Sequence, residues 1–127
     1  MISSTDEMSG EEIFSNALFR FLNDLNILSL TVAEQCAKYQ YYNVAWELRN
    51  DLVGDATELL NFRQIGLSVK QVKRILIFRE MVEQIPKRIT DVKNEKDQHL
   101  RAMSDPIWIP IRVRAAEIVN ELPKSNL

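Results

Sequence analysis

An all-α fold, a bundle of four to five helices in a single domain over residues 1–127, is what the sequence predicts. Three observations predict it. Apolar residues recur every three or four positions along most of the chain, capping signatures stand before several of those runs, and no segment alternates strictly enough to demand a strand. The chain holds only 3 Gly and 4 Pro, too few for the tight turns of a sandwich or barrel. Its apolar share of 46% and charged share of 27% are those of a globular domain and exclude a disordered or collagen-like chain.

Residues 1–8 precede the first capping signature and read as a disordered tail. Ser9 and Glu12 form a capping box, in which each side chain satisfies the backbone N–H of the other. Ile13, Phe14, Ala17, Leu18, Phe21, Leu22 and Leu25 then make one broad apolar stripe, the mark of a helix buried on one face. Around Asn26 the pattern loosens. Thr31 and Glu34 offer a second capping box, while Leu28, Val32, Cys36 and Tyr39 continue the stripe, so one long helix and two consecutive ones both fit.

Tyr39, Tyr41, Tyr42 and Asn43 interrupt the periodicity. A second run follows at Ala45, Leu48, Leu52, Ala56, Leu59 and Leu60, with Asn43 as its expected cap and Gly66 at a left-handed C-terminal position. Ser68 and Gln71 open a third helix with Val72, Ile75, Leu76, Phe78, Val82 and Ile85 inside, and Pro86 ends it. Residues 86–104 are rich in charge and read as a linker or short exposed helix. Ser104-Asp105-Pro106 then starts a last helix, carrying Trp108, Ile111, Ala115, Ile118 and Leu122. Pro110 belongs to its first turn, or else marks its start after a turn over Asp105–Ile109.

Catalytic inventory comes next. His99 is the single histidine, and no cysteine or second histidine stands near it at ligand spacing, so neither a metal nor a cofactor is expected. Cys36 lies among apolar neighbours and reads as core. No glycine-rich phosphate loop, nucleophile elbow or zinc-protease signature occurs, and an enzyme is not expected. The first residues lack the basic head and apolar stretch of a signal peptide. No apolar run reaches the length of a membrane span, and one cysteine cannot make an internal disulfide. A cytoplasmic protein without membrane contact is expected.

Charge is unevenly divided. Residues 1–62 hold ten acidic side chains against three basic ones, and residues 63–127 hold thirteen basic against eight acidic. Such asymmetry steers partners, although the halves also stand to neutralise each other within one domain. The sharpest local feature is a ridge on the second run: Glu47, Asp51, Asp55 and Glu58. Spacings of four, four and three stack these carboxylates on one helix face, where like charges cost a few tenths of a kcal/mol per pair (about 0.2–0.5). A cationic partner would convert that repulsion into affinity, whereas a solvated face would leave it as a small local cost. Tyr42 and Trp46 stand beside the ridge in sequence, and such aromatics are frequent interface anchors, though helix-end packing is their commoner use. Lys70, Lys73 and Arg74 form a basic patch on the third helix. The net charge of -2 speaks against direct nucleic-acid binding.

The segment Tyr42-Asn43-Val44-Ala45-Trp46-Glu47-Leu48-Arg49-Asn50-Asp51-Leu52 resembles the central helix of small helical immunity proteins of contact-dependent growth inhibition and related polymorphic toxin systems. Met103-Ser104-Asp105-Pro106-Ile107-Trp108-Ile109-Pro110-Ile111-Arg112, followed by Ala115 and Ala116, is similar to their closing helix. The resemblance spans residues 40–122 through short motifs. It implies a non-enzymatic protein that binds one cognate toxin domain, often a nuclease, and blocks its active or substrate-binding surface. A basic nuclease gripping phosphates would meet Glu47, Asp51, Asp55 and Glu58, with Tyr42 and Trp46 as apolar anchors. Two other readings stand beside it: a helical adaptor or homo-oligomeric bundle, and a nucleic-acid-binding regulator using the Lys70–Arg74 helix.

Overall fold

The structure is a computed structural model that describes residues 9–122; the tail expected over 1–8 lies outside the described residues. Eight helices follow in order: α1 (Gly10–Leu28), α2 (Val32–Lys38), α3 (Val44–Asn61), α4 (Arg63–Gly66), α5 (Val69–Glu83), α6 (Lys87–Thr90), α7 (Lys96–Met103) and α8 (Trp108–Glu121). No strand occurs among the described residues. The four long helices close into a ring, α1 on α3, α3 on α5, α5 on α8 and α8 back on α1. The bundle is therefore four-membered, and the count of eight comes from four short helices. α6 and α7 pack on α3 and on each other, α2 packs on α7, and α4 rests on α1.

Each long helix buries the face its sequence marks. Phe14, Ala17, Leu18, Phe21 and Leu25 are buried from α1; Ala45, Leu48, Leu52, Ala56, Leu59 and Leu60 from α3; and Trp108, Ile111, Ala115 and Ile118 from α8, with Leu122 just after it. At the centre the rings of Phe21 and Phe78 meet edge to face, 6.0 Å between centroids, an arrangement worth about 0.5–1.5 kcal/mol beyond burial. Trp108 is fully buried, and its indole N–H donates to the carbonyl of Ala102 at 2.9 Å. From α5, Ile75, Phe78 and Val82 point inward, but Leu76, expected inside, is 40% exposed. Position 76 follows the inward-facing Ile75 by about 100° of helix rotation.

The capping boxes at Ser9/Glu12, Thr31/Glu34 and Ser68/Gln71 all form. The second of them settles the break after α1. Gln35, fully buried, donates its side-chain amide to the carbonyls of Ile27 and Leu28 at 3.1 and 3.3 Å, satisfying the open C-terminal end of α1.

Three local expectations are corrected. Asn43 makes no side-chain cap; its backbone is left-handed at φ 43°, as are Gln40 and Tyr41. Its N–H donates instead to Asn94 Oδ1 at 2.8 Å. Gly66 has no positive φ and ends α4; a Cβ there would stand 2.8 Å from the ring of Phe14, so close approach, not backbone handedness, requires glycine. Residues 86–104, read as a linker or short exposed helix, hold two short helices, α6 and α7, and one side of them is buried rather than solvated. Ile89, Thr90, His99, Ala102 and Met103 are buried, because three positions at i, i+3 and i+4 suffice once neighbouring helices cover them. At the end of this segment Asp105 Oδ1 accepts from the Ile107 N–H at 2.9 Å. Its other oxygen accepts from Arg88 at 2.8 Å, and α8 begins at Trp108 with Pro110 in its first turn.

Candidate functional site

The ridge on α3 lies along its seam with α1, closed at one end by Tyr39, just after α2. Arg20 of α1 places Nε 3.4 Å from Asp55 Oδ1. The hydroxyl of Tyr39, just after α2, donates to Asp51 Oδ2 at 3.0 Å. Glu47, at the same end, adds its field to that of Asp51 on Tyr39. Burial first, and these negative neighbours second, raise the Tyr39 phenol far above its ordinary range, so it stays a neutral donor. Glu58 continues the row one turn beyond Asp55, and neither Glu47 nor Glu58 enters an ion pair among the described residues. All four carboxylates are half-buried.

The centre of the seam is a residue not counted in the ridge. Asp24 of α1 is only 8% exposed, and the negative charges of Asp55 and Asp51 on α3 act on it. Burial chiefly, then Asp55 and Asp51, push the Asp24 carboxyl up to about 9, with Arg20 opposing. Its Oδ2 is buried without a hydrogen-bond partner. The sequence carried a signal for it. Ala17, Phe21, Asp24 and Leu28 step by four, three and four, so Asp24 occupies a core-facing register of α1.

The two aromatic candidates do not join the carboxylates. Tyr42 is 61% and Trp46 44% exposed. At about 100° per residue, Trp46 stands roughly 100° around α3 from Glu47 and 180° from Asp55. It flanks the side that α3 turns to α5, where Arg79 donates to Thr57 Oγ1 and Arg49 to the carbonyl of Glu83.

The remaining titratable groups are tied into the fold. Burial lowers the His99 imidazole, against the opposing Tyr41 backbone; its Nε2 lies 3.0 Å from Asn94 Oδ1, the atom that also receives the Asn43 N–H. Cys36 is buried, and burial raises its thiol. Among the described residues no group of three or more His, Cys, Asp or Glu is arranged to hold a metal ion, and no helix is long and apolar enough to cross a membrane. A cleft of about 580 Å³ opens between the α1–α2 corner and α8. Arg112 on its wall donates to the carbonyl of Met103 at 3.0 Å.

Charge pairing follows the division in the sequence. Arg20–Asp55 joins two residues of the acidic half, and Arg74–Glu121, Arg79–Glu83, Arg88–Asp105 and Arg114–Glu117 join residues of the basic half. No ion pair among the described residues crosses from one half to the other. Compared with protein-family models, curated proteins and solved structures, the chain finds no match.

Proposed function

We propose that this protein is an immunity-type inhibitor, which binds a cognate toxin domain, a basic nuclease, and covers the surface that grips nucleic acid. The observation that carries the reading is the uncompensated charge of the seam. Glu47, Asp51, Asp55 and Glu58 face one paired cation, Arg20, while Arg74, Arg79, Arg88 and Arg114 of the basic half pair with carboxylates of that same half. A fold under no other demand gains nothing from that repulsion, whereas a cationic partner relieves it and is steered toward it. The resemblance of residues 42–52 and 103–112 to helical immunity proteins supports the same reading, and the inhibitor would act in the cytoplasm.

The test uses a basic nuclease toxin domain as the binding partner. Asp51 and Asp55 are poor choices for charge reversal, because Tyr39, Arg20 and Asp24 depend on them. Glu47→Lys combined with Glu58→Lys is cleaner. We expect toxin affinity to fall by about 100-fold or more, in line with roughly 1.5 kcal/mol or more for each close charge pair, with an unchanged helical circular dichroism spectrum. Unaltered affinity removes the seam from the contact.

A second reading, the homo-oligomeric bundle, draws on one observation: Val69, Leu76, Ile77, Ile109 and Val113 are exposed on α5 and α8. Light scattering on the purified chain decides it, since a monomer at high concentration leaves those side chains without a second copy.

A further inference from the structure

We infer that the cleft between the α1–α2 corner and α8 binds a small amphipathic carboxylate, with its alkyl chain along the apolar walls and its anionic group on Arg112. The inference goes beyond the toxin-binding reading and does not rest on it, since this cleft borders α8 and the carboxylate ridge stands on α3. Small side chains open the space. Ala115 and Ala116 line it from α8, and two methyl groups in succession leave room that larger residues would fill. Leu25, Leu28, Leu30 and Val32 supply apolar walls from the α1–α2 corner. The volume of about 580 Å³ suits a small ligand, whose sites are mostly apolar with a few polar groups that fix orientation.

Arg112 is the polar group that fixes orientation here. Among the described residues lining the cleft it is the one charged side chain, and among the described residues no carboxylate pairs with it. Its Nη2 donates to the Met103 carbonyl at 3.0 Å, which holds the guanidinium in place, while its Nε is buried without an acceptor. A buried donor left unbonded is unfavourable, so the group calls for an acceptor oxygen as well as for negative charge. A carboxylate supplies both, and its two oxygens match the fork of a guanidinium. The hydroxyl groups beside it are already used within the fold. Ser29 Oγ donates to the Asn26 carbonyl at 2.6 Å, and Thr31 Oγ1 accepts from the Glu34 N–H at 3.1 Å. The nearby acids are used as well: Glu34 accepts from the Thr31 N–H at 2.9 Å, and Glu117 pairs with Arg114. The cleft therefore favours an anion at Arg112 and hydrocarbon elsewhere.

Decanoate is the probe, with decanol as its uncharged match, each titrated into the full chain below micelle-forming concentrations. Carbon–proton NMR should show saturable shifts at the methyl groups of Leu25, Leu28, Val32, Ala115 and Ala116. The Arg112 Nε–H signal should move downfield with decanoate and not with decanol. Decanoate should bind about tenfold more tightly than decanol, or better, the scale of a hydrogen bond to a charged group, and Arg112→Gln should erase that difference. Because Arg112 also braces Met103, a second variant leaves it in place. Ala116→Phe fills the cleft from an exposed position and should abolish binding of both compounds, with the helical circular dichroism spectrum unchanged. Decanoate that fails to bind the wild-type chain, binds no better than decanol, or shifts the exposed Leu76 and Ile77 of α5 in place of the cleft methyls overturns the inference. So does an Ala116→Phe chain that binds decanoate like the wild type.

Discussion

Asp24 carries the clearest consequence of a single buried group. Its carboxyl is raised in the folded chain to about 9 from the ordinary 3.8 of an aspartate. Between those values the folded chain keeps the proton and the unfolded chain has lost it, so unfolding releases a proton and rising pH favours the unfolded state. This contribution is complete below about pH 4 and disappears as pH climbs toward 9. Asp24→Asn, which keeps the neutral shape, should therefore raise Tm by several degrees at pH 8, at about 4 °C per kcal/mol for this chain length, and by less at pH 5. Thermal melts at the two pH values check it; equal shifts would show that Asp24 ionises normally. Gly66 makes the opposite case. Gly66→Ala drives a methyl to 2.8 Å from the Phe14 ring, and overpacking of that kind costs about 1–3 kcal/mol. Urea denaturation should show a lower midpoint with an unchanged slope.

Helix ends were the most legible elements. The three capping boxes form where Ser9, Thr31 and Ser68 stand, because a cap is a contact between residues three apart and needs no tertiary partner. Ser68→Ala removes the acceptor for the Gln71 N–H, 3.1 Å away, and should cost about 1 kcal/mol, measured by the same denaturation. The connection between α2 and α3 was not legible. Gln40, Tyr41 and Asn43 all take left-handed backbone without a glycine among them, held by the bond from Tyr41 N–H to Cys36 carbonyl at 2.9 Å and by Asn94. Gln40→Gly, at an exposed position, should stabilise by about 0.5–1 kcal/mol, since an L-residue costs about 1–2 kcal/mol there and glycine returns part of the gain as entropy. α7 escaped notice for another reason. Its inner face is His99, Ala102 and Met103, a stripe too short and too mixed to stand out from Lys96, Asp97 and Arg101.

Across the molecule, the ring of α1, α3, α5 and α8 keeps the acidic seam apart from the basic surface of α5, where Lys70 and Lys73 are exposed. An uncancelled separation of charge acts at long range and is screened by salt over about 10 Å at 0.1 M. Association with a basic toxin domain should accordingly slow by an order of magnitude or more between low and high ionic strength, with dissociation much less affected; stopped-flow fluorescence measures both. An association rate indifferent to salt would mean that the seam does not guide the encounter.

Composition and periodicity determined the helical class, the inward faces of the four long helices and the division of charge along the chain. These depend on spacing within a helix, where residues three and four apart share a side. The closing of the bundle decided the rest. It buried Asp24, gave Tyr39 to Asp51, set Arg20 on Asp55 and buried His99, because each of these depends on what a neighbouring helix brings within a few ångströms. An ionisable side chain takes its charge state from that neighbour, and the neighbour is remote in sequence.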